Sequence, residues 1–184
     1  MEIKILSHTH FEKYSELAKL RGSIFNSLAW LKMYGKSITV YGIFNNDHKL
    51  IGGFHLYKTK QGKIFSHLNN PPFTPHTGLF FDNQTSNKAN SLSFEKNILS
   101  CVADFLEKES YHLLTIALPT NCTDVQPFIW KRFKAIPNYT YQLNLELLEE
   151  EMLKNLASDK RNSINKAEKD KVTIKQNAGK HIIK

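Results

Sequence analysis

The apolar positions near the N-terminus follow a helical period. Phe11, Tyr14 and Leu17 recur on one face, and a Thr-x-x-Glu capping pattern starts at Thr9. Such a pattern opens a helix whose apolar stripe faces a core. The spacing therefore predicts a first helix over roughly 10–20.

A short segment around Trp30 predicts a second, partly exposed helix, and β-rich runs separated by turn residues follow it. Runs of this kind are typical of strands in a meander. We expect a bulge at Gly52-Gly53, since glycine inside a strand often marks one. The predicted strands span residues 37–44, 49–57, 64–68 and 79–81.

Three prolines within five residues interrupt the strand pattern at 69–78. Proline fixes its own backbone and restricts the residue before it, so the stretch predicts an extended, exposed loop.

Helices and strands alternate in the second half of the chain. The apolar run over 111–118 is typical of a strand covered on both faces, and the final helix has acids first and bases last, which complements its dipole. Taken together, the pattern predicts an α/β fold with a mixed central sheet flanked by helices. The predicted elements are a long helix over 86–109, a strand over 111–118, a short helix from Thr123 through Trp130, a strand over 139–145, a helix over 147–169 and a strand over 172–174.

The composition is that of an ordinary water-soluble domain. The chain has 184 residues, of which 41% are hydrophobic and 23% charged, and no apolar run is long enough to cross a bilayer. The N-terminus lacks the apolar core of a signal peptide. Two cysteines, Cys101 and Cys122, are too few for a disulfide scaffold, which favours a cytoplasmic location.

The net charge of +8 favours anionic partners such as nucleic acid, nucleotide-linked substrates or a membrane surface. Residues 152–184 contain nine bases and three acids. An anion-binding surface and a solvated helix face explain this segment equally well.

The common catalytic motifs do not occur in the sequence. The eight histidines do not pair at metal-ligand spacing, so no metal is expected. A Gly-x-Ser-x-Gly elbow and the two glycine-rich phosphate loops are missing as well. We expect Cys101 to be a core residue and Cys122 to lie in a loop.

Two clusters combine large aromatic rings with cations. Trp30 lies close to Lys32, and Trp130 lies close to Arg132. Rings can stack on bases while cations hold phosphates, which would suit a nucleotide-linked substrate or a tRNA end. The alternative is that the rings belong to the core and the cations extend to solvent.

The order of five segments resembles the Fem-type (FemABX) aminoacyltransferases of bacteria and related acetyltransferase-like proteins of the GNAT fold. The most specific pair is the Tyr-Thr-Tyr strand and the basic helix that follows about 20 residues later. The matching segments are 29–32, 71–78, 127–133, 138–143 and 160–167.

The resemblance implies a single GNAT-like domain over 1–175, equivalent to the N-terminal half of the family, with a polar tail at 176–184 that would begin a missing second half. It implies N-acyl or aminoacyl transfer to an amine, incomplete in this half alone. The donor would be acyl-CoA or aminoacyl-tRNA, and the acceptor a small molecule or a cell-wall precursor. Partners would include tRNA or a second GNAT-like half. By the same resemblance, substrate would bind at Trp30, Lys32, Trp130, Arg132, Tyr139, Tyr141, Arg161 and Lys166.

Amine attack on an activated carbonyl needs positioning and oxyanion stabilisation more than a side-chain nucleophile. This explains why a catalytic triad need not be visible, and the catalytic residues stay unassigned. Two rival hypotheses remain. One is a non-catalytic module that binds RNA or another polyanion through the basic C-terminal helix, and the other is an inert relic.

Overall fold

The structure is a computed structural model that describes residues 1–62, 64–140 and 144–174. The chain divides into two compact units, Met1–Ile136 and a second unit that begins at Pro137. The predicted end of the domain at residue 175 lies outside the described residues. Elements of the first unit are β1 (Glu2–Ile5), α1 (Phe11–Arg21), α2 (Leu28–Lys32), β2 (Ile38–Phe44), β3 (Leu50–Gln61), β4 (Phe65–Asn69), β5 (Phe80–Phe81), α3 (Lys88–Lys108), β6 (Leu113–Thr115) and α4 (Gln126–Trp130).

The strands form one mixed sheet, which confirms the predicted fold class. Strands β1, β2, β3 and β4 are neighbours in that order and pair antiparallel. Strand β6 then pairs parallel with β4. A parallel pair needs a crossover connection, and the long helix α3 lies within it.

Alternating side chains divide the core between the two faces of the sheet. Helix α3 covers one face with Ile98, Leu99 and Val102, which pack against Ile43 and Phe54 of the strands. Helix α1 covers the other face, where its buried residues pack against Phe44 and Leu50. The extra residue Ile51 between Leu50 and Gly52 turns Leu50 to the face opposite Phe54. This second cluster consists of Leu6, Tyr14, Leu17, Ala18, Phe44, Leu50 and Phe80.

The proline-rich stretch divides one long strand into β4 and β5. Strand β3 pairs with β4 up to Tyr57–Asn69 and with β5 from Gly53–Phe80. Between those two pairs β3 has three residues and its partner has ten, so seven extra residues leave the sheet. We call residues 70–79 the proline loop. Its predicted exposure is only partly correct, since Thr74, Thr77 and Gly78 are buried.

Several local features differ in detail from the predictions. The predicted bulge is formed, but it lies next to the glycine pair. Ile43 pairs with Gly52 and Phe44 with Leu50, so Ile51 is the extra residue. A Cβ at Gly53 would come within 2.6 Å of the Tyr14 ring, so close packing requires that glycine. Strand β6 is short, and Leu113 is exposed rather than covered on both faces. Helix α1 begins after a 3₁₀ turn, without the predicted Thr9 cap.

The second unit contains two short helices, α5 (Glu149–Asn155) and α6 (Ser158–Lys169). The predicted single helix is therefore wrong, because Leu156 and Ala157 adopt extended backbone angles. Within 139–145, the described residues are not in a strand, while 141–143 lie outside the description. The strand predicted over 172–174 is also not formed.

Candidate functional site

The proline loop begins at the carboxyl ends of the parallel strands. Asn69, the last residue of β4, pairs with Thr115, the last residue of β6. Ligands of open α/β sheets bind outside the carboxyl ends of parallel strands, where the strand order changes direction. This junction is therefore the place in the first unit where the topology favours a binding site.

Two polar side chains at this junction each have one atom without a hydrogen-bond partner among the described residues. His67 and Asn69 lie on the same face of β4, and His67 Nδ1 is 3.4 Å from Asn69 Nδ2. His67 Nε2 and Asn69 Oδ1 are both covered, and neither has a hydrogen-bond partner among the described residues. We call His67, Asn69 and Thr115 the strand-end site. An uncompensated buried polar atom costs free energy, so its retention points to a role.

The contact between the two side chains determines which atom of each is available. The amide nitrogen of Asn69 can only donate, so His67 Nδ1 must be the acceptor in that contact. A neutral imidazole then carries its proton on Nε2. The strand-end site thus leaves one hydrogen-bond donor, His67 Nε2, and one acceptor, Asn69 Oδ1, unsatisfied.

Helix α2 anchors the first half of the proline loop. Trp30 Nε1 donates to Thr74 Oγ1 at 3.0 Å, and the Tyr34 hydroxyl donates to the carbonyl of Pro72. Tyr34 and Thr74 are also in hydrogen-bond contact at 3.2 Å. The aromatic residues of this region therefore hold the loop in place.

The second half of the loop lies between two strands. Thr77 accepts a backbone hydrogen bond from His55 of β3 and donates one to Ala117, which follows β6; both measure 2.9 Å. Asn70 adds a side-chain bridge, from Nδ2 to the carbonyl of Pro75 at 3.2 Å. The backbone of the loop thus bridges the two strands beside the strand-end site.

A buried polar cluster lies beneath Gly78. Asn26 donates to the Gly78 carbonyl, and Gly78 has a φ of +63°. Tyr14 and His55 are fully buried, and their polar side-chain atoms have no well-formed hydrogen bond within the described structure. Burial raises the pKa of Tyr14. This cluster fixes the position of the loop from below.

Both histidines near the loop are held neutral. Burial, together with the charge of the His76 ring, lowers the pKa of His55 to about 4, and a hydrogen bond with the His76 backbone opposes this only in part. Burial also lowers the pKa of His76. His76 Nδ1 accepts the Gly78 amide at 3.0 Å, so its proton lies on Nε2.

The cysteines are poor nucleophiles. Cys122 is buried, and burial together with Glu95 raises the pKa of its thiol to about 12. Burial likewise raises the pKa of Cys101. Since the thiolate is the reactive form, thiol chemistry is disfavoured at neutral pH. Within residues 1–62, 64–140 and 144–174, His, Cys, Asp and Glu form no group of three suited to a metal ion.

The two predicted aromatic-basic clusters lie on opposite faces of the sheet. Helix α2, with Trp30 and Lys32, packs Leu28 against the α1 side. Helix α4, with Trp130, packs Phe128 against the α3 side. Trp130 is 61% exposed and stacks under Lys96 at 4.7 Å, and Arg132 follows it with a φ of +64°. The two clusters therefore lie apart, and the role of Trp30, Lys32, Trp130 and Arg132 in substrate binding stays a prediction.

The remaining predicted site residues belong to the second unit. Tyr139 is 93% exposed, and Arg161 and Lys166 are exposed on α6. Tyr141 lies outside the described residues. The role of these four residues in substrate binding stays a prediction.

The sequence reasoning missed His67 and Asn69. Their signal was present, since two polar residues alternate on a short strand directly before the prolines. Alternation alone indicates only a solvated strand face. The pairing of β4 with β6, which gives the residues their significance, depends on contacts about 46 residues apart.

Comparison with known proteins gives only distant likenesses. No protein-family model and no curated protein matches the chain. Solved structures that it resembles include a ribosomal-protein-alanine N-acetyltransferase from Brucella melitensis (TM-score 0.45, 15% identity, 79% of this chain and 100% of that chain). They also include a glucosamine-6-phosphate N-acetyltransferase from Arabidopsis thaliana (0.40, 11%, 76% and 97%) and an aminoglycoside 6′-N-acetyltransferase from Acinetobacter haemolyticus (0.39, 12%, 78% and 98%).

Likeness at this level does not assign a function, which has to be argued from the site. A Fem-type specificity stays a prediction. None of the helices in the described part of the chain is long and apolar enough to cross a membrane.

Proposed function

We propose that the protein transfers an acyl group to an amine at the strand-end site. The observation that carries the proposal is the pair of covered, unpartnered atoms, His67 Nε2 and Asn69 Oδ1, at the carboxyl ends of the parallel strands. The donor suits an acyl carbonyl oxygen, and the acceptor suits an N–H group of the attacking amine. N-acyl transfer uses both kinds of hydrogen bond.

The reaction uses these atoms for positioning and electrostatics. The amine lone pair attacks the carbonyl carbon, a C–N bond forms, and negative charge grows on the carbonyl oxygen. His67 Nε2–H stabilises that oxygen, while Asn69 Oδ1 orients the amine. The bond to the leaving group then breaks, and the leaving group takes the electron pair. The amine's proton leaves to that group or to water, because Asn69 has no basic atom to receive it.

The donor and acceptor classes follow from the resemblance to the Fem-type and GNAT proteins. The donor is acyl-CoA or aminoacyl-tRNA, and the acceptor is a small amine or a cell-wall precursor. Both donors carry phosphates, and residues 17–81 contain eight bases and one acid. Lys32 is the predicted phosphate ligand. It is exposed and lies close to Trp30 on the helix that anchors the proline loop.

The test measures transfer of a radiolabelled acyl group from acyl-CoA and from aminoacyl-tRNA to a panel of amines, including a muropeptide amine. His67→Phe removes the donor and Asn69→Leu removes the acceptor at nearly constant volume. We expect kcat/KM to fall about a hundredfold for His67→Phe, the cost of losing one oxyanion donor. Asn90→Leu, an exposed change on α3, is the matched control.

Thermal unfolding of each variant separates a lost contact from a lost fold. The absence of transfer with every donor and amine pair would overturn the proposal. Transfer that His67→Phe and Asn69→Leu leave unchanged would place the reaction elsewhere.

A second function, polyanion binding by α6, is favoured by one observation. No residue of α6 in the described structure is buried, and its bases are exposed. A surface that only covers a core would bury an apolar stripe. If α6 binds RNA, retention should weaken steeply with salt, and changing Lys160, Arg161 and Lys166 to Ala should flatten the slope. Loss of this binding with intact acyl transfer would separate the two functions.

A further inference from the structure

The proline loop presents one aromatic side chain to solvent. The Thr74 amide donates to the Pro71 carbonyl at 3.1 Å and closes a tight turn with Pro72 and Phe73 at its centre. Phe73 has a φ of +58° and is 92% exposed. Proline followed by a residue of positive φ is the pattern of a type II turn, in which glycine is the usual third residue.

Phenylalanine is energetically unfavourable at that position. A bulky residue with positive φ is strained. Packing of the ring does not offset this strain, because the ring is almost wholly exposed. Thr74, directly after it, is buried and held by Trp30, so the turn cannot relax by moving as a whole. A strained, rigidly mounted and exposed aromatic is the geometry of a contact residue for an external partner.

Exposed apolar and cationic residues lie on the segment that bonds to this turn. The hydrogen bond from Tyr34 to Pro72 brings the end of α2 to the same corner of the molecule. There Met33 is 64% exposed, and Lys32 and Lys36 on either side of it are exposed. We call Met33, Pro72, Phe73 and Pro75, with the two lysines, the apolar corner.

The chain around the apolar corner has almost no negative charge. Residues 17–46 and 48–81 contain no Asp or Glu, so Asp47 alone interrupts a long basic stretch. Surface regions normally intersperse both signs. An exposed apolar tip, on a stretch of chain that has lysines and almost no acids, is complementary to a negatively charged surface that also offers hydrocarbon.

We propose that the apolar corner docks on an anionic lipid bilayer, with Phe73 inserted at the interface and Lys32 and Lys36 on the headgroups. Aromatic and aliphatic side chains bind at the headgroup boundary while lysines add electrostatic attraction. Transfer of methionine and proline side chains into hydrocarbon is favourable. A single-stranded nucleic acid would instead be bound by stacking on ring faces and by polar groups. The composition of the corner therefore favours lipid over RNA.

The test is co-sedimentation of the full chain with phosphatidylcholine vesicles, with and without phosphatidylserine. Phe73→Gly removes the ring and at the same time suits the positive φ, so this variant should fold at least as stably as wild type. We expect its partition onto anionic vesicles to fall about tenfold or more. Lys32→Glu combined with Lys36→Glu should lower the partition at least as much.

Matched changes on α3 control for general effects. Leu92→Ser removes an exposed apolar side chain, and Lys88→Glu with Lys108→Glu reverses two exposed charges; all three positions are exposed. These controls should bind vesicles like wild type. Binding that Phe73→Gly does not change, or that requires no anionic lipid, would overturn the proposal. Loss of poly(U) retention in Phe73→Gly, without any vesicle binding by wild type, would assign the corner to RNA instead.

Discussion

Trp30 Nε1 donates a hydrogen bond to Thr74 Oγ1 across 3.0 Å, although 44 residues separate the two along the chain. The bond joins α2 to the proline loop, and Thr74 is buried by the contact. One hydroxyl thus connects the anchor helix to the loop that borders the strand-end site and carries Phe73. Stability and substrate positioning should both depend on it.

Thr74→Val should destabilise the protein by about 1–3 kcal/mol, because it leaves the Trp30 N–H group without its acceptor at nearly unchanged volume. Chemical unfolding measures the change. Tryptophan emission should shift to the red in a Trp130→Phe background, where Trp30 is the remaining tryptophan. Thr74→Ser keeps the hydroxyl and should restore most of the loss; equal loss in both variants would show that the methyl group matters instead.

Gly78→Ala should be severely destabilising. A Cβ there would come within 2.5 Å of Asn26 Nδ2 and 2.7 Å of His55, at a φ of +63°. Strain and overpacking together predict a loss of about 2–5 kcal/mol in unfolding free energy. Gly35→Ala is the matched control, since its φ of +54° is similar but a Cβ would meet no described atom within 4 Å.

The control should lose only about 1 kcal/mol, the cost of the backbone alone. Equal losses at Gly35 and Gly78 would mean that the cluster of Asn26 and His55 is not closely packed against the loop.

Stability should fall as the pH drops below about 6.5. The pKa of His55 is lowered in the folded state to about 4, so the unfolded chain binds the proton first and acid favours unfolding. The contribution is complete above the unfolded pKa of about 6.5 and is lost as pH falls through the folded pKa, a change of about 3 kcal/mol. His76 acts in the same direction.

Urea unfolding between pH 7 and pH 4.5 measures this dependence. His55→Gln should flatten the curve even if it lowers stability at pH 7, whereas the exposed His8→Gln should leave the slope unchanged. A His55→Gln curve parallel to that of wild type would contradict the buried, neutral state of His55.

Cys122→Ala should keep acyl transfer within about twofold of wild type. The raised pKa of the Cys122 thiol leaves almost no thiolate at neutral pH, so the residue cannot serve as an acyl carrier. Loss of transfer in a folded Cys122→Ala protein, or rapid alkylation of the native thiol by iodoacetamide, would contradict this reading.

Local patterns predicted the elements whose formation is decided locally. Helix α1 and the strands β2 to β4 follow from periodicity and turn residues, and α4 follows from its position after Thr123. Tertiary pairing could not be read in this way. The seven extra residues of the proline loop are recognised only when the chain between Asn69 and Phe80 is compared with the shorter stretch of β3 that pairs with these two residues.

In the candidate site, too, local patterns do not predict contacts between distant segments. The cationic neighbours of Trp30 predict substrate binding, and this role stays a prediction. The bond from its indole to Thr74 has no counterpart in the local pattern. His67 and Asn69 were overlooked because their significance depends on β6, far along the chain. Hydrogen bonds between distant segments are specified by the whole fold, so no window of sequence contains them.

The most direct measurement is the steady-state rate of acyl transfer by Asn69→Leu and His67→Phe relative to wild type, with the donor and amine pair that wild type uses best. If the strand-end site holds the reacting groups, both folded variants lose activity, with kcat falling for His67→Phe because the oxygen it stabilises gains charge only in the transition state. Wild-type rates in both variants would contradict the account.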